Sequence, residues 1–328
     1  MVHFTTVVES NAQFARDHKD MELVCVLAGA TSGIGASTLE TLVSLMPKSR
    51  FYVIGRSAAR FTSQQTLLEY TTASCNVVFI EAEFSLLSHV DNVCEQIVAR
   101  ESRVDYLCMS PGMIPLNGAE YTKEGLETCF AISYYSRMRL LFNLLPLLRR
   151  STSPRVLNIL NAGKEKALAD DDLGLERNWS ALTVINHATT MTSLAFEHLA
   201  PKEEKMTLIH VYPGWVRTDN FSHLTAPEDS GLLWRSFLWF IRNLAGTLAL
   251  LFGVSAKECG QRQAFHLISD RFGPGAWRLD HVSEEAPETS ALKNYNAHSW
   301  PGRIWNYTIS IFEQQSLRDK GVYSQDRA

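Results

Sequence analysis

The sequence lacks the features that mark several large classes of protein. No long basic or acidic block occurs in its 328 residues, and the formal net charge is only -4. A nucleic-acid-binding surface normally concentrates positive charge, so the composition argues against a nucleic-acid partner. The six cysteines are scattered and form no C-x-x-C pair, so they predict neither a metal site nor a redox motif.

The N-terminus has no apolar stretch behind a basic start, so it does not resemble a secretory signal. This predicts a reducing, cytoplasmic location. Residues 231–254 form the most apolar segment. A membrane-spanning helix needs about 20 apolar residues, and Arg235 and Arg242 interrupt this stretch. We interpret it as a lid or a buried helix pair rather than a transmembrane span, and peripheral contact with a membrane surface is the alternative.

Segments with strand and helix patterns alternate from about residue 22 onward. Apolar runs predict strands at 23–28, 51–54, 77–80, 106–109, 155–160 and 206–212, and helical spacing predicts helices at 36–45, 125–149 and 183–199. This alternation predicts an α/β protein with a doubly wound parallel sheet, the Rossmann fold. No linker divides the pattern, so we expect one domain over 1–328, with a lid insertion at 219–255 and a C-terminal extension at 273–328.

A glycine-rich turn, G-A-T-S-G-I-G at 29–35, joins the first predicted strand to the first predicted helix. Glycines let the backbone turn tightly and approach a pyrophosphate, and the following helix offers free N–H groups. The turn therefore predicts a dinucleotide site, with an ordinary strand-to-helix turn as the alternative. The predicted contacts are Gly29, Thr31, Ser32, Gly33, Ile34 and Gly35.

Arg56 follows the second predicted strand, where an acidic residue would bind the ribose 2′-hydroxyl of NAD. A guanidinium at this position suits a 2′-phosphate, because it can form paired, charge-assisted hydrogen bonds. Arg56 therefore predicts NADP(H) as the cofactor. A solvated surface arginine is the alternative.

The G-x-x-x-G-x-G spacing resembles the short-chain dehydrogenase/reductase family. Two later segments resemble that family in the same order: S-P-G at 110–112, where the family has Asn-Ala-Gly, and P-G-W-V-R-T at 213–218, beside the expected nicotinamide. The resemblance implies further cofactor contacts at Glu83, Phe84, Ser110, Pro111, Gly112, Pro213, Gly214, Val216 and Thr218.

The resemblance fails at the family's catalytic residues. The positions of its tyrosine and of the lysine one helical turn later fall at Ile185 and Thr189, and no Y-x-x-x-K occurs in residues 181–200. The family's serine position holds Asn161, and its asparagine position holds Ser133. All four roles are altered, so the chemistry has either moved or been lost.

Four residues are candidates to replace those roles. Asn161 can donate a hydrogen bond to a carbonyl oxygen and stabilise developing negative charge. Lys164 leaves the same strand end, His187 lies on the helix that normally carries the tyrosine, and Tyr212 precedes the P-G pair. The alternatives are a solvated Lys164, a structural His187 and a Tyr212 that only packs in the core.

Segments at 163–165, 171–175 and 190–195 resemble a fungal branch of the family found in secondary-metabolite pathways. This resemblance implies a lipophilic, polyketide-like or terpenoid-like substrate, which a hydrophobic lid would suit. The favoured function is an NADP-dependent oxidoreductase acting on a carbonyl or alcohol. A non-redox cyclase, isomerase or dehydratase and a catalytically silent nucleotide-binding protein remain open. The resemblance also implies a homodimer paired through the helices after the fourth and fifth strands.

Overall fold

The computed structural model describes residues 1–72, 76–115, 117–217, 231–233, 235–236, 238–240, 243, 246–247 and 253–319. Its strands are β1 (Val24–Ala28), β2 (Arg50–Gly55), β3 (Asn76–Glu81), β4 (Tyr106–Met109), β5 (Arg155–Ile159), β6 (Thr207–Val211), β7 (Val216–Arg217), β8 (Val254–Ser255) and β9 (Gly275–Leu279). Seven of them form a parallel sheet in the order β3-β2-β1-β4-β5-β6-β9, while β7 pairs with β8.

Helices cover both faces of this sheet. They are α1 (Phe4–Asp17), α2 (Gly33–Leu45), α3 (Ala58–Thr71), α4 (Leu87–Val98), α5 (Thr128–Phe130), α6 (Ser136–Leu148), α7 (Ala181–Leu199), α8 (Ala256–Ile268), α9 (Ser290–Ala297) and α10 (Trp300–Asp319). A π-helical segment, Ala131–Tyr135, joins α5 to α6. One apolar cluster lies against α4, α6, α7 and α10, and the other against α1, α2, α3 and α8. The predicted doubly wound Rossmann fold is confirmed.

The sequence predictions leave out several elements, and two of these, β9 and α1, lack a clear apolar pattern. Strand β9 contains Gly275 and Arg278 and pairs with only one neighbour, so most of its side chains are only partly buried. Helix α1 buries only Val7 and Asn11 and has no side-chain cap. The segment expected to be a C-terminal extension therefore contributes the seventh strand of the sheet.

Helix α10 lies across the outer face of α6 and α7. Tyr134 and Thr308 share a buried hydrogen bond of 2.6 Å, and the ring of Phe142 packs against that of Phe312 at 6.1 Å. These are the helices through which the resemblance implied a homodimer. A pair formed through that face would first have to displace α10.

No helix in the described part of the chain is long and apolar enough to cross a membrane. Most of the predicted lid at 219–255 lies outside the described residues. Within the part that is described, Leu232 and Leu233 expose most of their surface to solvent.

One buried cation, Arg137, ties the carboxyl ends of β4 and β5 to the helical layer above them. Burial lowers the pKa of its guanidinium to about 9, which leaves it charged at neutral pH. No ion pair among the described residues includes Arg137, so hydrogen bonds to neutral oxygens must replace its hydration. The acceptors are Oδ1 of Asn158 and the carbonyl oxygens of Met109, Pro111, Ile132 and Ile159.

Replacing Arg137 with methionine tests this clamp. Arg137→Met leaves several buried oxygens without a donor, and each such oxygen costs about 1–3 kcal/mol, so we expect the free energy of unfolding to fall by about 3–5 kcal/mol. Urea unfolding measures the change. The control is Arg149→Met, because Arg149 is largely exposed and its pair with Glu203 should contribute at most about 1 kcal/mol. Equal losses in the two variants would contradict the clamp.

Candidate functional site

The glycine turn after β1 is shaped by close backbone contacts. Gly29 and Gly33 have φ of 77° and 56°, in the left-handed region that favours glycine. A Cβ on Gly29 would lie 2.6 Å from the backbone nitrogen of Pro111, and one on Gly35 would collide with the carbonyl oxygen of Gly29. Side chains are therefore excluded at both positions, because neighbouring residues already fill the space.

Ser110 stabilises this turn from the end of β4. Its hydroxyl lies 3.2 Å from the carbonyl oxygen of Ala28 and 3.1 Å from that of Gly29 and donates to this pair. Its backbone N–H also donates to the carbonyl oxygen of Ala28. The S-P-G segment at 110–112 thus contacts the predicted cofactor loop directly.

The N-terminus of α2 is suited to bind an anion. Ser32 is its N-cap residue, but the hydroxyl makes no capping hydrogen bond, and the first turn holds no acidic residue. The first N–H groups of the helix therefore remain free, and the helix dipole favours negative charge there. These donors and the side-chain-free turn fit a dinucleotide pyrophosphate. Beside them, the methyl of Thr31 packs where a Cβ on Gly55 would lie.

The predicted adenosine end contains one exposed cation and one locally ordered loop. Arg56 is exposed directly after β2. Glu83 accepts hydrogen bonds from the backbone N–H and hydroxyl of Ser85, and its own N–H donates to Nδ1 of His89. Phe84 is buried in the core cluster beside α4. Arg56 is thus free to contact a 2′-phosphate, whereas the carboxylate of Glu83 is bonded within its own loop.

Three titratable side chains meet beyond the carboxyl ends of β5, β6 and β9. The ammonium of Lys164 lies 5.4 Å from the centroid of the Tyr212 ring, and the ring of His281 lies 6.2 Å from it, edge to face. Lys164 and His281 are exposed, whereas burial raises the pKa of the Tyr212 phenol. We call Lys164, Tyr212 and His281 the strand-end cluster.

His281 was missed because it follows β9, the strand without an apolar signal. Its Cβ lies 2.8 Å from the position that a Cβ on Gly214 would take, and Gly214 has a φ of 76°. The P-G pair after Tyr212 therefore packs against the loop that carries His281. Val216 follows in β7, and Thr218 lies outside the described residues.

His187 lies apart from the strand-end cluster. It is buried, its Nε2 accepts the N–H of Ala169 at 2.8 Å, and its Nδ1 lies 3.4 Å from the carbonyl oxygen of Leu173. Burial lowers the pKa of the imidazole. Both ring nitrogens thus contact the loop before α7, an arrangement that fits a structural histidine.

Comparisons with known proteins agree with this architecture. The family described as short chain dehydrogenase matches residues 23–169. Oxidoreductase AN1596 of Emericella nidulans is 33% identical and covers 96% of this chain and 99% of its own. Oxidoreductase lepF of Aspergillus flavus is 33% identical and covers 91% of this chain and 92% of its own. This chain belongs to the short-chain dehydrogenase/reductase family.

Solved structures show the same fold. Levodione reductase superposes with a TM-score of 0.57 at 15% identity, covering 76% of this chain and 91% of its own. An NADPH-bound carbonyl reductase from chicken fatty liver superposes with a TM-score of 0.53 at 17% identity, covering 81% and 99%. At these identities the likeness to short-chain dehydrogenases and reductases shows the fold alone.

As a short-chain dehydrogenase/reductase, the chain is unusual along α7. Ile185 is partly buried and carries no titratable group, and the hydroxyl of Thr189 donates to the carbonyl oxygen of Ile185 within the helix. Ser133 lies in the π-helical segment and contacts Sγ of Cys129 at 3.7 Å. Titratable groups instead lie in the strand-end cluster, near Asn161 in the loop after β5.

Buried histidines make the stability of this short-chain dehydrogenase/reductase pH-dependent. Burial lowers the pKa of His210 and His266 from 6.5 to about 3. The unfolded chain therefore binds more protons between pH 6.5 and pH 3, and stability falls as the pH falls through that range. We expect a loss of about 2 kcal/mol per histidine between pH 7 and pH 5, measured by urea unfolding. The His266→Gln variant should show about half of this pH dependence. Equal stability of the wild-type protein at pH 7 and pH 5 would contradict the role of the buried histidines.

Proposed function

We propose that this chain is an NADP(H)-dependent oxidoreductase that interconverts a carbonyl group and an alcohol on a lipophilic small molecule. The observation that carries the proposal is the position of the strand-end cluster. In a parallel sheet the carboxyl ends of all strands lie at one edge, so the glycine turn after β1 and the cluster after β5, β6 and β9 share that edge. The anion site and the proposed proton-transfer groups therefore lie along the same edge of the sheet.

Arg56 supports NADP(H) over NAD(H). Its guanidinium is exposed at the end of β2, and the neighbouring residues Gly55 and Ser57 are uncharged. A 2′-phosphate at this point would gain a charge-assisted contact, whereas the carboxylate that selects a free 2′-hydroxyl is missing from this position.

Tyr212 is the proposed proton donor. Bound NADPH would supply the hydride to the carbonyl carbon. A tyrosine phenol is protonated at neutral pH, and burial raises the pKa of Tyr212 above its ordinary value, so the side chain carries the proton that it would pass to the carbonyl oxygen as the alcohol forms. The cation of Lys164 beside the ring would stabilise the phenolate that remains on Tyr212. Asn161 would donate a hydrogen bond to the carbonyl oxygen of the substrate. His281, which is exposed, can return a proton from solvent.

Exposed apolar residues support a lipophilic substrate. Leu232, Leu233, Trp239 and Phe240 belong to the apolar segment that follows β7, and each exposes more than half of its surface. An apolar ligand that covers these side chains removes apolar surface from water, which favours binding. By resemblance to the fungal oxidoreductases, a secondary metabolite of polyketide or terpenoid type is the proposed substrate.

We propose a cytoplasmic location. Four cysteines, Cys94, Cys108, Cys129 and Cys259, are buried free thiols. Free thiols are typical of a reducing compartment.

The cofactor proposal is tested by titrating the purified protein with NADPH and NADH. Arg56→Ala should weaken NADPH binding about tenfold, because it removes the charge opposite the 2′-phosphate, and should leave NADH binding unchanged. Arg60→Ala is the matched control, since Arg60 is an exposed arginine one turn into α3. Equal effects of the two substitutions on NADPH would contradict the assignment of Arg56.

The redox proposal is tested by following NADPH absorbance with a panel of lipophilic ketones. Wild-type protein should consume NADPH with at least one ketone, and Tyr212→Phe should lower that rate at least a hundredfold by removing the proton donor. Tyr70→Phe, at an exposed position on α3, is the control. A Tyr212→Phe rate within threefold of wild type would contradict the role of Tyr212.

A further inference from the structure

Three buried side chains from three elements are linked beneath the strand-end cluster. Oγ of Ser193 on α7 lies 2.8 Å from Oε1 of Glu165 and 2.9 Å from Nδ1 of His210 on β6. The exposed fractions of Glu165, Ser193 and His210 are 2%, 1% and 0%. Burying three polar side chains costs free energy unless each is hydrogen-bonded, and these three are hydrogen-bonded to one another.

The hydrogen bonds run in one direction from Asn161 through His210 and Ser193 to Glu165. Nε2 of His210 accepts the backbone N–H of Asn161 at 3.3 Å, so it carries no proton, and Nδ1–H donates to Ser193. The Ser193 hydroxyl donates to Oε1 of Glu165, which also accepts the backbone N–H of Gly163 at 3.0 Å. The path begins and ends on one loop, residues 161–165.

The imidazole of His210 is neutral at ordinary pH. Burial, followed by the positive charges of Arg137 on α6 and Arg278 on β9, lowers its pKa to about 3. A charged imidazole would turn Nε2 into a donor and break its bond to Asn161. Oε2 of Glu165 has no hydrogen-bond partner among the described residues.

Ser193 belongs to a row of anchors along α7. His187, Thr190 and Ser193 follow at intervals of three residues on one helical face. Thr190 accepts the N–H of Lys166 at 2.9 Å and donates to its carbonyl oxygen at 2.8 Å. The Ser193 anchor is the one that reaches the segment carrying Asn161 and Lys164.

We propose that Glu165, Ser193 and His210 are positioning residues, which hold the loop at residues 161–165 so that Lys164 lies over the Tyr212 ring and Asn161 lies beside it. This inference rests on the proposed function in taking Asn161 and Lys164 as part of the reacting site. None of the three positioning residues touches substrate in this scheme.

Amide hydrogen exchange tests whether the path holds the loop, and it needs neither substrate nor cofactor. Ser193→Ala should speed exchange at Asn161 and Gly163 at least tenfold, because it removes the hydroxyl that links them. Thr190→Val is the matched control and should speed exchange at Lys166 alone. Glu165→Gln keeps an acceptor oxygen, so exchange should stay within threefold of wild type.

A second variant distinguishes the hydrogen bond of the Asn161 N–H from that of the Gly163 N–H, and it replaces Ser193→Ala if that variant fails to fold. His210→Asn keeps a donor near the Nδ1 position but removes the Nε2 acceptor. We therefore expect faster exchange at Asn161 and unchanged exchange at Gly163. Exchange within twofold of wild type at Asn161 in both variants would overturn the proposal.

Steady-state kinetics with a ketone that the wild-type protein reduces then tests whether these residues position the reacting groups or only stabilise the loop. Ser193→Ala should lower kcat at least tenfold while KM and the Kd for NADPH stay within twofold, and Glu165→Gln should retain kcat. Loss of loop protection with unchanged kcat would overturn the positioning role. If the wild type reduces no ketone, the proposed function fails, and hydrogen exchange still decides whether these residues hold the loop.

Discussion

The charge of Arg137 is the constraint on which the site depends. A guanidinium without a carboxylate partner in the described structure can stay buried only if neutral oxygens surround it, and its acceptors end β4 and β5 or follow them closely. Pro111, one of those acceptors, lies against Gly29 in the glycine turn. Ile159, another, lies two residues before Asn161. One cation thus joins the predicted cofactor turn to the loop proposed to meet the substrate.

Helix α7 carries neither a tyrosine nor a lysine at the family's catalytic positions, and it anchors a loop instead. Its inward face anchors the preceding loop through His187, Thr190 and Ser193. Proton transfer is proposed to have moved to residues that follow strands, including Tyr212. Reacting groups are held less precisely on a loop than on a helix, so a loop that carries them needs contacts that fix its conformation. The buried path through Ser193 supplies that support.

The sequence predicted those parts of the fold that depend on local chemistry. Six strands were placed within one or two residues, because each is a run of apolar residues, and the glycine turn was recognised because only glycine tolerates its backbone geometry. Strand β9 escaped detection because it lies at the sheet edge with Arg278 in it, and His281 was missed with it. The positions of Glu165, Ser193 and His210 could not be predicted either, because residues 17 and 28 positions apart meet only when the sheet and helices pack.

Hydride transfer is the central claim, and transfer of deuterium tests it most directly. Wild-type protein would be incubated with NADPH deuterated at the transferring C4 position and a panel of lipophilic ketones, and the products analysed by mass spectrometry. The account predicts an alcohol that carries one deuterium on the former carbonyl carbon, formed with one equivalent of oxidised cofactor. A product without deuterium, or no product from a protein that binds NADPH, would contradict it and favour non-redox chemistry or a silent nucleotide-binding protein.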